Sequence, residues 1–272
     1  MRYWKTGNLR HHEKNRVIGM LLFGLAIILS VGWGGTSECL AKEAELAMQE
    51  VSYTTEDNIT IYGSWIVPEA LEDTSSKLPV VILLHDYGFD RRDWGVFIPD
   101  LIEKGFCVFV IDIRGHGKST SSGQRFSGQY SPSVASYLLE MGYLDVLGAL
   151  DWINEQKEVR PKSISLVGVG LGADLAYLSA KKFKKRLRAS VIISPSLAAV
   201  TEGDFADPKA QAVLFCVTTG DATGSSLMAA ESMANFTEQP KRLVTYQSTA
   251  HGLAMFYKHP EMKREILAWL GQ

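Results

Sequence analysis

Several protein classes are excluded by what this chain has little of. Its 272 residues hold three cysteines, Cys39, Cys107 and Cys216, too few for the disulfide framework of a small secreted scaffold. Neither sign of charge dominates: 28 Lys and Arg against 30 Asp and Glu leave a net charge of −2, so there is no basic footprint for nucleic acid. No repeat and no low-complexity tract stands out. What is present, 46% hydrophobic and 21% charged residues, is the composition of a globular protein long enough to bury a full core in one domain.

The N-terminus stands apart. Arg2, Lys5, Arg10, Lys14 and Arg16 precede a continuous apolar run, Val17 to Trp33, and small residues lead on to Cys39-Leu40-Ala41. Basic flank, apolar run and small-residue site together predict a secretory signal cleaved after Ala41. An uncleaved anchor is the alternative, because the run is long for a signal and slightly short for a spanning helix. Both place the remaining chain on the exported side, periplasmic or extracellular, or held at the inner membrane by residues 17–33. A lipoprotein reading at Cys39 is opposed by Glu38, which stands where a small residue is needed. Loss of residues 1–41 removes five Lys/Arg and two Glu, leaving a charge of −5 and two cysteines inside apolar strand-like runs. These predict buried free thiols rather than a bridge.

From residue 50 onward apolar runs alternate with amphipathic stretches. Val51–Thr55 and Ile59–Val67 read as a hairpin around Glu56-Asp57-Asn58. Pro79–His85, Phe106–Asp112, Ser163–Val167, Ser190–Ser194, Ala212–Thr218 and Arg242–Tyr246 read as further strands. Trp94–Lys104, Val134–Gln156 with a break near Gly142, Ala173–Lys184, Ser226–Phe236 and Pro260–Leu270 read as helices. Strands separated by helices predict one α/β domain over residues 50–272, with a mostly parallel sheet of about eight strands covered by helices on both faces. In such sheets ligands bind beyond the carboxyl ends of the strands. Those ends read His85-Asp86-Tyr87-Gly88, Asp112 to Gly117, Gly168 to Gly172, Gly220-Asp221 and Ala250-His251-Gly252.

Gly168-Val169-Gly170-Leu171-Gly172, between a strand and a helix, has the form of G-x-S-x-G with glycine at the serine position. With the other strand ends, it resembles the α/β-hydrolase superfamily over nearly the whole exported chain. Compact, lid-poor members similar to dienelactone hydrolases and serine-aminopeptidase-like esterases resemble it most. The resemblance implies that Gly170 occupies the nucleophile's place, left vacant, that Asp221 matches the acid and that His251 matches the general base. It further implies that the N–H groups of Leu171 and Tyr87 match the oxyanion donors. The Arg114-Gly115-His116-Gly117 turn is mostly a structural signature. No cysteine or aspartate stands at position 170, which excludes thiol-hydrolase and dehalogenase variants. Ser248 and Ser179 lie poorly for a substitute nucleophile.

The residues support the same roles. A histidine accepts a proton efficiently when a carboxylate fixes its tautomer, and backbone N–H groups in a glycine-rich turn are rigid oxyanion donors. His85 and His116 read as structural, and Asp174 as a helix N-terminal charge. Three functions follow. One is a non-catalytic or strongly impaired relative that binds a small ligand or partner; the N-myc downstream-regulated group resembles this case, with a similar elbow lacking the serine. The second is an ester hydrolase in which His251, oriented by Asp221, activates water. The third is a dinucleotide binder, since Gly168 to Ala173 also fits G-x-G-x-x-A. It is weakened because the next strand ends in Ile193-Ser194-Pro195-Ser196, with no acid for a ribose. The preferred readings call for no cofactor and no metal. Ser119–Ser133 is expected to rim the pocket, and the short connection from Ser194 to Ala212 leaves little room for a large lid; both favour a small or open site.

Overall fold

The computed structural model describes residues 48–68, 77–120, 123, 125–126, 131–199, 212–238 and 240–272. The signal or anchor at residues 1–41, much of the Ser119–Ser133 loop and most of the Ser194–Ala212 connection lie outside the described residues. Among the described residues no helix is long and apolar enough to cross a membrane.

Eight strands form one sheet. The first two, β1 (Met48–Thr54) and β2 (Thr60–Ile66), pair antiparallel as a hairpin. They lead into β3 (Leu78–Leu84), β4 (Cys107–Ile111), β5 (Val159–Val169), β6 (Ala189–Ile193), β7 (Ala212–Thr218) and β8 (Lys241–Tyr246). The spatial order is β1-β2-β4-β3-β5-β6-β7-β8. The β2–β4 pair is antiparallel and every later pair is parallel. This order puts the ends of β3 and β5 side by side, and the ends of β7 and β8 side by side.

Alternation along the strands divides the core in two. Val80, Ile82 and Leu84 of β3 enter one apolar cluster, while Val81 and Leu83 enter the other. The first cluster is closed by helices α2 (Pro132–Met141), α3 (Tyr143–Asn154), α4 (Leu171–Lys182) and α5 (Ser226–Phe236). The second is closed by α1 (Ile98–Glu103), α6 (Ala254–Lys258) and α7 (Glu261–Leu270), with Trp94, Phe97, Met262 and Ile266 fully buried in it. Each such side chain contributes about 1.5–3 kcal/mol on burial. Cys107 and Cys216 are buried and unbridged.

Some boundaries differ from the sequence reading, while the break expected near Gly142 is found. Trp94–Lys104 is divided between a 3-10 turn, Arg91–Val96, and α1; Asp90 caps the turn through Arg92 N–H and pulls its start forward. The long helix separates at Gly142, against which Leu175 of α4 packs closely. The short helix α6, absent from the periodicity, follows His251 directly.

Candidate functional site

The site is built where β5 turns into α4. Gly170 ends the strand at φ 52°, ψ −118°, a left-handed conformation that glycine adopts most easily. Two residues later, a Cβ on Gly172 would run into the Leu84 carbonyl of the neighbouring strand. The turn is therefore held tightly against the end of β3, and the loop after β3 delivers its residues to Gly170.

That loop carries the feature the sequence reading missed. A Cβ built on Gly170 would fall inside the carboxyl group of Asp86. Asp86 Oδ1 accepts hydrogen bonds from Tyr87 N–H at 2.7 Å and Leu171 N–H at 2.9 Å. Asp86 Oδ2 lies 3.2 Å from His251 Nε2. The expected vacancy at Gly170 is thus corrected: a carboxylate from another strand end fills the space left by the absent side chain.

The other expected residues meet at the same point. The structure brings Leu171 N–H and Tyr87 N–H onto one oxygen. It also brings Asp221, after β7, to His251, after β8, with Nδ1 3.0 and 2.9 Å from the two carboxyl oxygens. Both ring nitrogens of His251 therefore face carboxylates, which only accept hydrogen bonds when ionised. The arrangement selects an imidazolium. Burial works against that charge, but the hydrogen bonds and charges of Asp86 and Asp221 outweigh it and raise the His251 pKa to about 9. Burial pushes Asp221 upward, yet two hydrogen bonds from Thr223 and one from His251 hold it below the usual carboxylate range.

Other residues fix this geometry. Thr218 Oγ1 donates to the Ala250 carbonyl at 2.8 Å, and Ser194 Oγ accepts from Gly252 N–H at 3.0 Å. His251 is thus held on both sides by hydroxyls from β7 and from the end of β6. His85 Nε2 accepts from Ile113 N–H, which leaves the proton on Nδ1 to donate to the Asp86 carbonyl at 2.7 Å. Burial, aided by neighbouring His116, lowers His85 to about 4 and keeps it neutral.

A family model described as the alpha/beta hydrolase fold matches residues 79–219, more than half of the chain. The chain belongs to the alpha/beta hydrolase fold family. The pimeloyl-acyl-carrier-protein methyl ester esterase of Methylococcus capsulatus is 32% identical over 109 residues, 40% of this chain and 34% of that protein. The uncharacterized protein YfhR of Escherichia coli is 24% identical over 147 residues, 54% of this chain and 46% of that protein. The chain thus spans less than half the length of these curated relatives. Among solved structures, the Pyrococcus furiosus esterase Pf2001 superposes with a TM-score of 0.64 at 20% identity, covering 88% of this chain and 96% of that one.

Within this alpha/beta hydrolase fold the remaining candidates have other roles. Ser248 Oγ pairs with His259 Nε2 at 2.9 Å, and Ser179 is buried within α4. Asp174 does more than favour the helix end: it accepts from Ser196 N–H and Ser196 Oγ, and burial raises it to about 8 despite those bonds. Arg114 is buried between Asp145 and Asp57. A cleft of about 390 Å³, lined by Gly88, Phe89, Arg91, His116, Lys118 and Phe126 among others, runs alongside the loop that carries Asp86.

Proposed function

We propose that this is an exported hydrolase-fold protein that has lost the serine route to ester cleavage and binds a small ligand or partner, non-catalytic or strongly impaired toward esters. One observation carries the reading. The Asp86 carboxylate occupies both backbone donors with Oδ1 and the His251 imidazole with Oδ2. An ester needs those donors for its carbonyl oxygen and that nitrogen for a proton. Gly170 offers no hydroxyl in exchange. Kinship with the dienelactone-hydrolase and serine-aminopeptidase-like members, and export by residues 1–41, belong to the same proposal.

A second reading keeps ester hydrolysis through water activated by His251 and Asp221. It is favoured by the close Asp221–His251 pair, but it requires Asp86 to leave the space where the water would sit. Activated short-chain esters distinguish the two. Turnover that disappears in His251→Ala supports the water route. No turnover above buffer, in a chain whose melting is cooperative, supports the impaired reading.

A further inference from the structure

We propose that the end of the sheet opposite the Asp86–His251 centre is a membrane-docking face that rests on anionic lipid headgroups. This goes beyond the ligand-binding reading and takes from it only that residues 17–33 can hold the chain at a membrane.

Charge is not spread evenly along this chain. Six of the eight residues from Lys181 to Arg188 are Lys or Arg, and no acid occurs between Asp174 and Glu202, in a chain whose net charge is −2. Lys181 and Lys182 lie in the last turn of α4, where a cation favours the helix dipole. The dipole accounts for these two alone, because the other four follow the helix in the connection to β6.

Topology gathers more cations to the same place. Helix α4 starts beside Gly170 and runs back to the far end of the sheet, where β6 begins. Strands β5 to β8 are parallel, so their first residues lie together there. Arg160 and Lys162 stand at the start of β5, and Lys241 and Arg242 at the start of β8. The acids at this end, Glu103, Asp151, Glu155, Glu158 and Glu238, are fewer, and Arg186 pairs with Asp151 at 2.8 Å. Arg188 and Arg160 are close enough to repel: burial lowers the Arg188 pKa, and the charge of Arg160 lowers it further. Phosphate groups relieve such repulsion and match guanidinium geometry.

The layout of the chain names the occupant. Strand β1 enters the sheet at this end, since Met48 pairs with Ile66 and Ile66 with Val108, the second residue of β4. Fourteen residues, 34–47, separate Met48 from the apolar run Val17 to Trp33. Such a short connection holds this end at a high effective concentration beside the lipid. Each Lys or Arg near an anionic surface then strengthens the attachment about fivefold. The Asp86–His251 centre, at the other end of the strands, faces water and stays open to a soluble ligand.

The test reconstitutes the full chain in vesicles of phosphatidylcholine alone and of phosphatidylcholine mixed equally with phosphatidylglycerol, and follows amide hydrogen exchange. Across residues 184–187 exchange should be at least about tenfold slower in the anionic vesicles, which two engaged cations suffice to produce. The slowing should vanish in molar salt, where screening acts within about 3 Å. Exchange in the Asp86 loop should be the same in both lipids. Lys162→Gln combined with Lys185→Gln, both at exposed positions, should lose most of the slowing without a change in melting temperature. The lipid comparison is made on the unaltered chain, so it does not depend on how the variant folds. Equal exchange in the two lipids overturns the proposal, and so does slowing that survives the salt. Slowing by a DNA duplex, with none from the anionic vesicles, assigns the face to nucleic acid and overturns it as well. Neither export nor ester turnover enters this comparison, so the functional reading and the docking face fail separately.

Discussion

The carboxylate of Asp86 and the bare Cα of Gly170 are complementary: one occupies the volume that a side chain on the other would need. Restoring a serine at position 170 therefore collides with Asp86 and also forces a non-glycine residue to φ 52°. The backbone term alone costs about 1–2 kcal/mol, or a fall in melting temperature of about 2–4 °C per kcal/mol for a domain of this size. Gly170→Ser should melt lower and remain unlabelled by a fluorophosphonate probe. The double variant Asp86→Gly, Gly170→Ser frees the donors and the imidazole together and should label. Labelling of the single variant to the same extent would show that Asp86 does not block the site.

His251 makes the stability depend on pH in a defined direction. Its pKa in the fold, about 9, lies above the ordinary 6.5, so the folded state holds this proton more tightly than the unfolded chain does. The resulting stabilisation is complete below about pH 6.5 and is lost as pH rises through about 9. Thermal unfolding between those limits should show a decline that His251→Gln removes. Asp86→Asn leaves only Asp221 to hold the imidazolium, so the decline should be smaller and end at lower pH. An identical profile in all three proteins would mean that the ring is not charged in the native site.

How much could be read in advance is visible in these residues. The strands and their ends were legible because a buried parallel sheet needs unbroken apolar runs such as Val80 to Leu84, and polar residues must punctuate them. His251, Asp221, Leu171 and Tyr87 lie at those punctuation points. Asp86 does too, but the sequence marks it only as part of a strand end. Its importance depends on β3 and β5 being neighbours with a tight turn between them, and no period in the sequence encodes that adjacency. A signal was available nonetheless: a glycine where a side chain is expected, paired with a carboxylate next to an expected oxyanion donor. The break at Gly142 was legible, while α6 was too short to give a helical period.

Arg114 is the buried cation of the first core. Its Nε lies 2.8 Å from Asp145 Oδ1 and its Nη1 2.7 Å from Asp57 Oδ2, with the Arg114 side chain 2% exposed. Burial raises Asp145 to about 6 even with Arg114 pulling it down. Arg114→Met leaves Asp145 buried without its counter-charge and should destabilise the fold by about 3–5 kcal/mol at pH 8. Without Arg114 the Asp145 pKa rises above its parent value of about 6, so protonation cancels the uncompensated charge and the deficit should shrink as pH falls toward about 6. Denaturant unfolding at both pH values measures it; an equal deficit at each would assign the loss to packing.

Ser194 is a strained residue with a stated task. It sits at φ 50°, fully buried at the end of β6, and its hydroxyl accepts the N–H of Gly252 beside His251. Ser194→Ala keeps the strain and leaves that donor unpaired, a cost of about 1–3 kcal/mol. Ser194→Gly loses the same hydrogen bond but relaxes the positive φ, so it should be more stable than the alanine variant by about 1 kcal/mol. Both variants free the chain on one side of His251 while Thr218 still holds the other. If Ser194 positions the ring, both should shift the His251 titration, followed by NMR, downward by a similar amount. If its task is only to complete the core, the two melting temperatures will differ while the titration stays where it is in the parent chain.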